Sequence, residues 1–278
     1  MNGERPEWLL VEPEAAMDKV EIGGLEVAYR RQGHGAPLVL LHGAVCDSRV
    51  WDDQVEAFSD DFEVIAWDAP GCGKSDDPPG SFRMGDFAAC LAGLLDTVGP
   101  GPAHVLGHSW GSTLALALCG RRPDLVRSLV LVGAYAGWAG SLPAEEVERR
   151  LSFALEMAAL GPGRFDPHTM PGLFSDLIPP DRAQRLGAVM AEARPSATVT
   201  MARSMAESDL RADLAATAAP TLLVYGEGDQ RAGLDVAADL HRRLMSSELV
   251  VLAGLGHECY LESPAAFEAA VRPFLAAH

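Results

Sequence analysis

The sequence predicts an α/β fold, a doubly wound and mostly parallel eight-stranded sheet with an inserted helical cap. Short, continuous apolar runs are typical of strands that helices cover on both faces. Helix-forming segments alternate with these runs, and an apolar pair of segments flanks Gly23 and Gly24, which is a hairpin signal. The apolar runs lie at 38–41, 62–67, 103–106, 129–132, 221–225 and 249–252, and the predicted helices lie around 50–58, 84–97, 110–121, 232–245 and 263–277.

One stretch, 135–211, interrupts this alternation. It has no strand signal and contains helical patterns at 144–160 and 181–193. Because connections in compact domains are usually a few residues long, we interpret it as a helical cap over the carboxyl ends of the strands. An excursion packed at the sheet edge is the alternative. The predicted organisation is an N-terminal arm at 1–16, a core domain formed by 17–134 and 212–278, and the cap.

Composition narrows the classes of partner. The chain has 278 residues and a formal net charge of −17, which argues against binding to nucleic acid or to an anionic membrane surface. No apolar run approaches the ~18 residues of a membrane span, and the first residues do not resemble a signal peptide. Five scattered cysteines without a C-x-x-C motif predict no disulfide framework and no zinc site. We therefore expect a cytoplasmic monomer or homodimer that acts on a small-molecule substrate without a metal or cofactor.

The most informative motif joins a predicted strand to a predicted helix. The run at 103–106 leads into Gly107-His108-Ser109-Trp110-Gly111, and a helix-forming segment follows. The pentapeptide alone is common, but between a strand and a helix it predicts a nucleophile elbow, with a serine at the apex of a strained turn. The backbone comes too close there for side chains at the flanking glycines. The motif predicts that Ser109 is the nucleophile of an acyl-transfer reaction.

A serine nucleophile needs a base that is oriented by a carboxylate. His257 follows the last predicted strand and is the candidate base. Asp229 and Glu227 both follow the preceding strand. We favour Asp229, because it lies where the loop turns into the next helix, and Glu227 is the alternative.

Two backbone N–H groups should bind the oxyanion of the tetrahedral intermediate. The amide after the nucleophile belongs to Trp110, and the second donor should come from the loop after the strand at 38–41. There Ala44 is the first choice and Val45 the second. The remaining candidates for the substrate pocket are His42, Val45, His108, Tyr135, Trp138, Phe153 and Met157.

Some of these candidates also have an ordinary structural interpretation. For His42, packing behind the oxyanion loop is favoured, and each of the aromatic residues is equally suited to the core. Arg149 and Arg150 are expected on the outer, solvated face of the cap. Cys46 and Cys259 come near the predicted site, where inert packing is favoured over a reactive thiol.

Five motifs occur in the order and spacing of one superfamily. They are Leu41-His-Gly43, Asp68-Ala-Pro-Gly-Cys-Gly-Lys-Ser75, the Ser109 pentapeptide, Gly226-Glu-Gly-Asp229 and Gly256-His257. From about residue 18 to 277 the chain resembles the α/β-hydrolase fold superfamily. The resemblance implies a Ser109–His257–Asp229 triad and a cap domain.

Within that superfamily, the serine distinguishes the chain from epoxide hydrolases and haloalkane dehalogenases, which have an aspartate at the elbow. The elbow is similar to that of proline iminopeptidases. The oxyanion loop differs, because His42-Gly-Ala-Val-Cys46 stands where those enzymes have His-Gly-Gly-Pro-Gly.

The expected function is therefore a serine hydrolase that cleaves a small or medium-sized, largely apolar ester or lactone through an acyl-enzyme. Hydrolysis of a carbon–carbon bond or of an amide by the same triad is an alternative. A ligand receptor or a cyclase on the same fold is another, since a fold alone does not define function.

Overall fold

The computed structural model describes residues 17–99, 101–161, 170, 172–176 and 178–278. The predicted N-terminal arm, 1–16, lies outside these ranges. All eight predicted strands are present in one sheet. They are β1 (Asp18–Ile22), β2 (Leu25–Gly33), β3 (Ala36–Leu41), β4 (Phe62–Trp67), β5 (Ala103–His108), β6 (Val126–Val132), β7 (Thr221–Gly226) and β8 (Ser247–Leu252).

The order of strands across the sheet is β1-β2-β4-β3-β5-β6-β7-β8. Antiparallel pairing is confined to β1 with β2 and β2 with β4, and every other neighbouring pair is parallel. The predicted fold class is therefore confirmed. Because β5, β6, β7 and β8 are adjacent and parallel, the loops that carry the predicted site residues leave the same edge of the sheet.

Helices cover both faces of the sheet, as the apolar strands require. Successive residues of β3 alternate between two cores, with Val39 and Leu41 in one and Leu38 and Leu40 in the other. The first core includes α2 (Met84–Val98), α3 (Trp110–Arg121) and α9 (Leu234–Arg243), and the second includes α1 (Asp52–Phe58), α10 (Cys259–Glu262) and α11 (Pro264–Ala277).

The chain between β6 and β7 is helical wherever it forms regular structure in the described residues, and we call this segment the helical insert. Its elements are α4 (Trp138–Ser141), α5 (Ala144–Leu160), α6 (Pro180–Ala191), α7 (Pro195–Glu207) and α8 (Arg211–Ala216). α5 has the predicted bounds, and α5 packs against α7. The division into domains at 134 and 212 stays a prediction, and α8 runs across the second of these boundaries.

No helix within the described ranges combines the length and the apolar character that crossing a bilayer requires.

Candidate active site

Ser109 lies at the turn from β5 into α3 in a strained backbone conformation. Its φ and ψ are 51° and −108°, a region that residues with a side chain rarely adopt. Its N–H donates to the Val132 carbonyl at 2.8 Å. A Cβ atom at Gly107 would lie 2.4 Å from the Gly111 carbonyl oxygen, and one at Gly111 would lie 2.3 Å from that of Leu41. The two glycines are thus a steric condition for this turn.

His257 and Asp229 meet at the same edge of the sheet. The Nδ1 atom of His257 lies 2.8 Å from Oδ2 of Asp229, and both side chains are buried. The other carboxylate oxygen of Asp229 accepts the N–H groups of Arg231 and Ala232, each at 2.8 Å. Because an ionised carboxylate only accepts hydrogen bonds, Nδ1 of His257 carries a proton, which leaves Nε2 available as an acceptor.

Glu227, the alternative acid, is held elsewhere. Its carboxylate accepts the N–H of Gly254 at 2.9 Å, and its side chain is exposed. Between the two carboxylates that the sequence left open, only Asp229 is hydrogen-bonded to His257.

Ser109 and His257 both line a cavity of about 290 Å³. Its wall combines the loop after β3 with α4, α5 and α7 of the helical insert and with the loops after β7 and β8. The other predicted site residues that line the cavity are Ala44, Val45, His108, Trp138, Phe153 and Met157. A cleft of this size, with a mainly apolar wall and a few polar groups, suits a small organic molecule.

Trp110, the predicted oxyanion donor, is the first residue of α3 and follows Ser109 directly. Its indole is buried and donates a hydrogen bond to the Ser204 hydroxyl at 2.9 Å. The N–H groups of the first turn of a helix have no partner within the helix, so the Trp110 amide at the start of α3 can receive an anion.

Backbone strain marks the loop after β3 as well. Among the described residues, Val45 and Ser109 are the only non-glycine residues with positive φ, at 59° and 51°. A left-handed conformation is costly for a β-branched residue and persists only where the surroundings enforce it. Strain at two cavity-lining residues points to this wall of the cavity as the functional one, and no sequence signal identified Val45 in this way.

The structure corrects two of the predicted pocket residues, His42 and Tyr135, which do not line the cavity. His42 is buried with Nδ1 2.7 Å from the Gly43 carbonyl oxygen, and its Nε2 accepts the N–H of Ala69 at 3.0 Å. Tyr135 is also buried, and its hydroxyl accepts a hydrogen bond from Arg150 at 2.9 Å. His42 thus connects two loops, and Tyr135 connects the chain after β6 to α5, both from behind the cavity wall.

His108 packs against His257 and forms a hydrogen bond with its backbone. Burial lowers the pKa of His108 well below its ordinary value, so the ring is neutral and donates through a single nitrogen. Its Nε2 donates to the His257 carbonyl at 3.1 Å, and the centroids of the two rings are 4.8 Å apart. On the opposite side, a Cβ atom at Gly133 would lie 2.8 Å from Cε1 of His257. The imidazole is therefore fixed in position by its surroundings.

The sequence analysis missed most of the polar residues of the cavity wall. Arg149 and Arg150 were expected on the outer face of α5. Arg149 is largely exposed, as expected, and also borders the cavity, whereas the side chain of Arg150 is mostly buried in the cavity wall. The spacing of Glu146, Arg150, Phe153 and Met157 along α5 is a signal that could have identified a shared helical face. The other polar residues of the wall that were missed are Thr198, Gln230, Arg231 and Glu258.

The two cysteines near the site have the properties of inert thiols. Cys46 lines the cavity and Cys259 is buried beside it. Burial raises the pKa of each thiol well above its ordinary value, which disfavours the reactive thiolate.

Fold and site together define an α/β hydrolase. The chain belongs to the family of the alpha/beta hydrolase fold, whose sequence model matches residues 36–202. A second model, described as TAP-like protein, matches residues 188–277.

Known proteins with similar sequences and structures are hydrolases. The chain is 27% identical to 2-(acetamidomethylene)succinate hydrolase of Mesorhizobium japonicum, over 88% of this chain and 90% of that protein. It is 31% identical to the pimeloyl-[acyl-carrier protein] methyl ester esterase of Neisseria meningitidis, over 85% and 75% of the two chains. The structure of a thermophilic esterase from Thermogutta terrifontis superposes with a TM-score of 0.85 at 28% identity, covering 95% of this chain and 99% of the other. The protein is accordingly a hydrolase of a small-molecule substrate.

Proposed function

We propose that the protein is a serine hydrolase that cleaves a small or medium-sized, largely apolar ester or lactone through an acyl-enzyme. One observation carries the proposal: a strained serine and a histidine that is hydrogen-bonded to a buried carboxylate line the same cavity. The esterase names of two similar proteins favour an ester as the substrate.

In the first half-reaction, the Ser109 hydroxyl oxygen attacks the scissile carbonyl carbon while Nε2 of His257 takes the hydroxyl proton. Asp229 holds the protonated Nδ1 and stabilises the imidazolium that forms. Collapse of the tetrahedral intermediate expels the alcohol, which receives the proton from Nε2. In the second half-reaction, His257 activates a water that attacks the acyl-enzyme and releases the acid, and Ser109 regains its proton.

The negative charge of each tetrahedral intermediate needs fixed donors. We assign these to the backbone N–H groups of Trp110 and Ala44. Trp110 begins α3, whose N-terminus favours an anion, and Ala44 lies in the strained loop beside Val45. Both donors are backbone groups, so the side chains at these positions affect the chemistry only through packing.

We further propose that the helical insert acts as a cap that selects the substrate. Phe153 and Met157 of α5 place apolar side chains in the wall of the cavity that Ser109 and His257 also line. Such side chains discriminate acyl groups by size, at roughly 1–3 kcal/mol for each methylene-sized difference.

The test is turnover of a panel of esters, lactones and amides by wild-type protein and by Ser109→Ala. The alanine should retain the fold and lose nearly all turnover of esters or lactones, because the Ser109 side chain supplies the nucleophile. Ser152→Ala, which changes an exposed serine of α5, is the matched control and should behave like wild type. Turnover by Ser109→Ala above a few per cent of wild type would disprove the assignment, as would a wild type that hydrolyses amides alone.

A further inference from the structure

The wall of the cavity has an unexpected electrostatic character. The chain carries a net charge of −17, yet three arginines, Arg149, Arg150 and Arg231, line the cavity. Glu146 and Glu258 are the carboxylate side chains that share the wall with them. Cationic side chains in a cleft attract anionic ligands, most strongly where their charge is not already neutralised.

Two of the three arginines share one carboxylate partner within the protein, that of Glu146. Arg149 donates twice to the carboxylate of Glu146, both times at 2.7 Å, and its side chain is largely exposed. Arg150 donates to Glu146 at 2.6 Å, to the Tyr135 hydroxyl at 2.9 Å and to the Arg231 carbonyl at 3.0 Å. The guanidinium of Arg150 therefore has its partners in place before any ligand binds.

Arg231 differs from both. Its N–H donates to Asp229 and its carbonyl accepts from Arg150, so the backbone is fixed on both sides of the Cα atom. In the part of the chain that the structure describes, its guanidinium forms neither an ion pair nor a hydrogen bond. A guanidinium stays protonated even when burial lowers its pKa, as it does at Arg231.

Leaving such a charge without a partner is costly, since a partly desolvated cation loses hydration that nothing replaces. The groups around Arg231 do not remove this cost. Asp229 and Glu258 attract its charge from a distance, whereas Arg150 repels it. Asp229 is already committed to His257 and to two backbone N–H groups.

We propose that Arg231 binds a carboxylate carried by the substrate, so that the ester or lactone is that of an acid with a second, free carboxylate. This inference rests on the proposed function and narrows it. The planar fork of a guanidinium matches a carboxylate in two parallel hydrogen bonds. The one guanidinium without a partner in the described part of the wall offers a single fork of donors, which fits a single carboxylate.

The position of Arg231 also gives the carboxylate a role in the reaction. Arg231 follows Asp229 by two residues, so the anion is held beside the Asp229–His257 pair while the scissile carbonyl lies at Ser109. Anchoring a remote part of the substrate to a fixed backbone orients the reacting carbonyl. The apolar side chains of α5 can then contact the part of the substrate that lies between its free carboxylate and its scissile carbonyl.

The experiment compares two esters of equal acyl length, monomethyl glutarate and methyl pentanoate, by release of methanol. We expect wild type to have at least a tenfold higher kcat/KM for the anionic ester. In Arg231→Gln the ratio of the two kcat/KM values should fall by roughly 10- to 100-fold, the range for a charge-assisted hydrogen bond. Arg231→Lys should keep part of the preference, because it retains the charge without the fork.

Arg242→Gln is the matched control. It makes the same change in net charge at an exposed position on α9, where Arg242 is paired with Asp239, and it should leave the ratio as in wild type. Equal or better hydrolysis of the neutral ester by wild type would overturn the proposal without any variant being needed. An unchanged ratio in a folded Arg231→Gln protein would do so as well.

These outcomes are separate from a failure of the proposed function. Labelling of Ser109 by a fluorophosphonate together with turnover of methyl pentanoate, but without a preference for the anionic ester, overturns only the role of Arg231. Turnover of either ester by Ser109→Ala at a rate near that of wild type overturns the proposed function itself.

Discussion

Two helices near the cavity, α3 directly after Ser109 and α5 of the helical insert, are packed very differently. Residues 110–119 of α3 are all buried, so the helix that follows Ser109 is enclosed by the protein. None of the seventeen residues of α5 in the helical insert is buried to that degree. A side chain in α3 cannot change without disturbing its neighbours, whereas a side chain of α5 borders the cavity or solvent and can change with little effect on packing.

The comparison suggests a division of labour. Chemistry needs atoms held to within a fraction of an ångström, which the ends of the buried strands provide. Discrimination between substrates needs a wall that can vary, and we propose that the insert has this role. The predictions below test whether changes near the strands affect rate and changes in α5 affect preference.

The largest effect is expected at His257. His257→Ala should lower kcat/KM for the best ester as much as Ser109→Ala does, by roughly 10⁵- to 10⁶-fold, because each removal leaves the other group without its partner. The measurement is steady-state kinetics of both variants and of the double variant, with thermal unfolding to confirm the fold. A double variant far slower than either single one would show that the two residues act independently.

A somewhat smaller effect is expected at Asp229. Asp229→Asn should slow the reaction by roughly 10³- to 10⁴-fold, because an amide no longer selects the imidazole tautomer that leaves Nε2 as the acceptor. Glu227→Gln is the matched control and should retain a rate near that of wild type, since Glu227 contacts the Gly254 amide and not His257. A reversed ranking of the two variants would assign the acid role to Glu227.

The next prediction concerns Glu258, on the core side of the cavity, and the pH dependence of the free energy of unfolding. Burial raises its pKa to about 7, so the folded protein holds this proton more tightly than the unfolded chain. The contribution to the free energy of unfolding is present at low pH and is lost as pH rises from the unfolded pKa of about 4.3 towards 7. The full loss amounts to about 4 kcal/mol for this group.

The Glu258→Gln variant has no titratable group at this position. Between about pH 5 and pH 8 its free energy of unfolding should therefore fall by about 3 kcal/mol less than that of wild type. Denaturant unfolding at both pH values measures this difference. Glu248→Gln, which changes an exposed glutamate of β8, should follow wild type. Equal losses in wild type and Glu258→Gln would mean that Glu258 titrates as an exposed carboxyl.

The smallest effect is expected in the insert. Phe153→Ala and Met157→Ala should shift the preferred acyl length toward longer chains, by roughly 1–3 kcal/mol for each methylene-sized step. Competition between esters of graded acyl length measures the shift, and Ser152→Ala on the exposed side of α5 is the control. An unchanged profile would place the acyl pocket in the core, and the insert would then have no part in selectivity.

The strand pattern of the fold could be predicted from the sequence because each strand is a continuous apolar run between helix-forming segments. The helix predicted at 144–160 has the same bounds in the structure. α6 begins at Pro180, one residue before the predicted start, which fits the preference of proline for the first turn of a helix. α7 was not singled out, since sequence alone did not separate it from the irregular chain around it.

Some residues of the candidate site could likewise be predicted from the sequence, and others could not. Ser109, His257 and Asp229 could be proposed because they follow strands whose ends must lie together. The direction of a side chain could not be read from position in the sequence. His42 therefore counted as a pocket residue although it faces the Ala69 N–H, and Arg231 was overlooked although it faces the cavity.

The account depends most on Ser109 as the nucleophile, and a fluorophosphonate probe followed by mass spectrometry of the digested protein tests this directly. We predict a single adduct on Ser109, formed at similar rates in wild type and Phe153→Ala and strongly slowed in His257→Ala. An adduct on another residue, or undiminished labelling of the Ser109→Ala protein, would contradict the account.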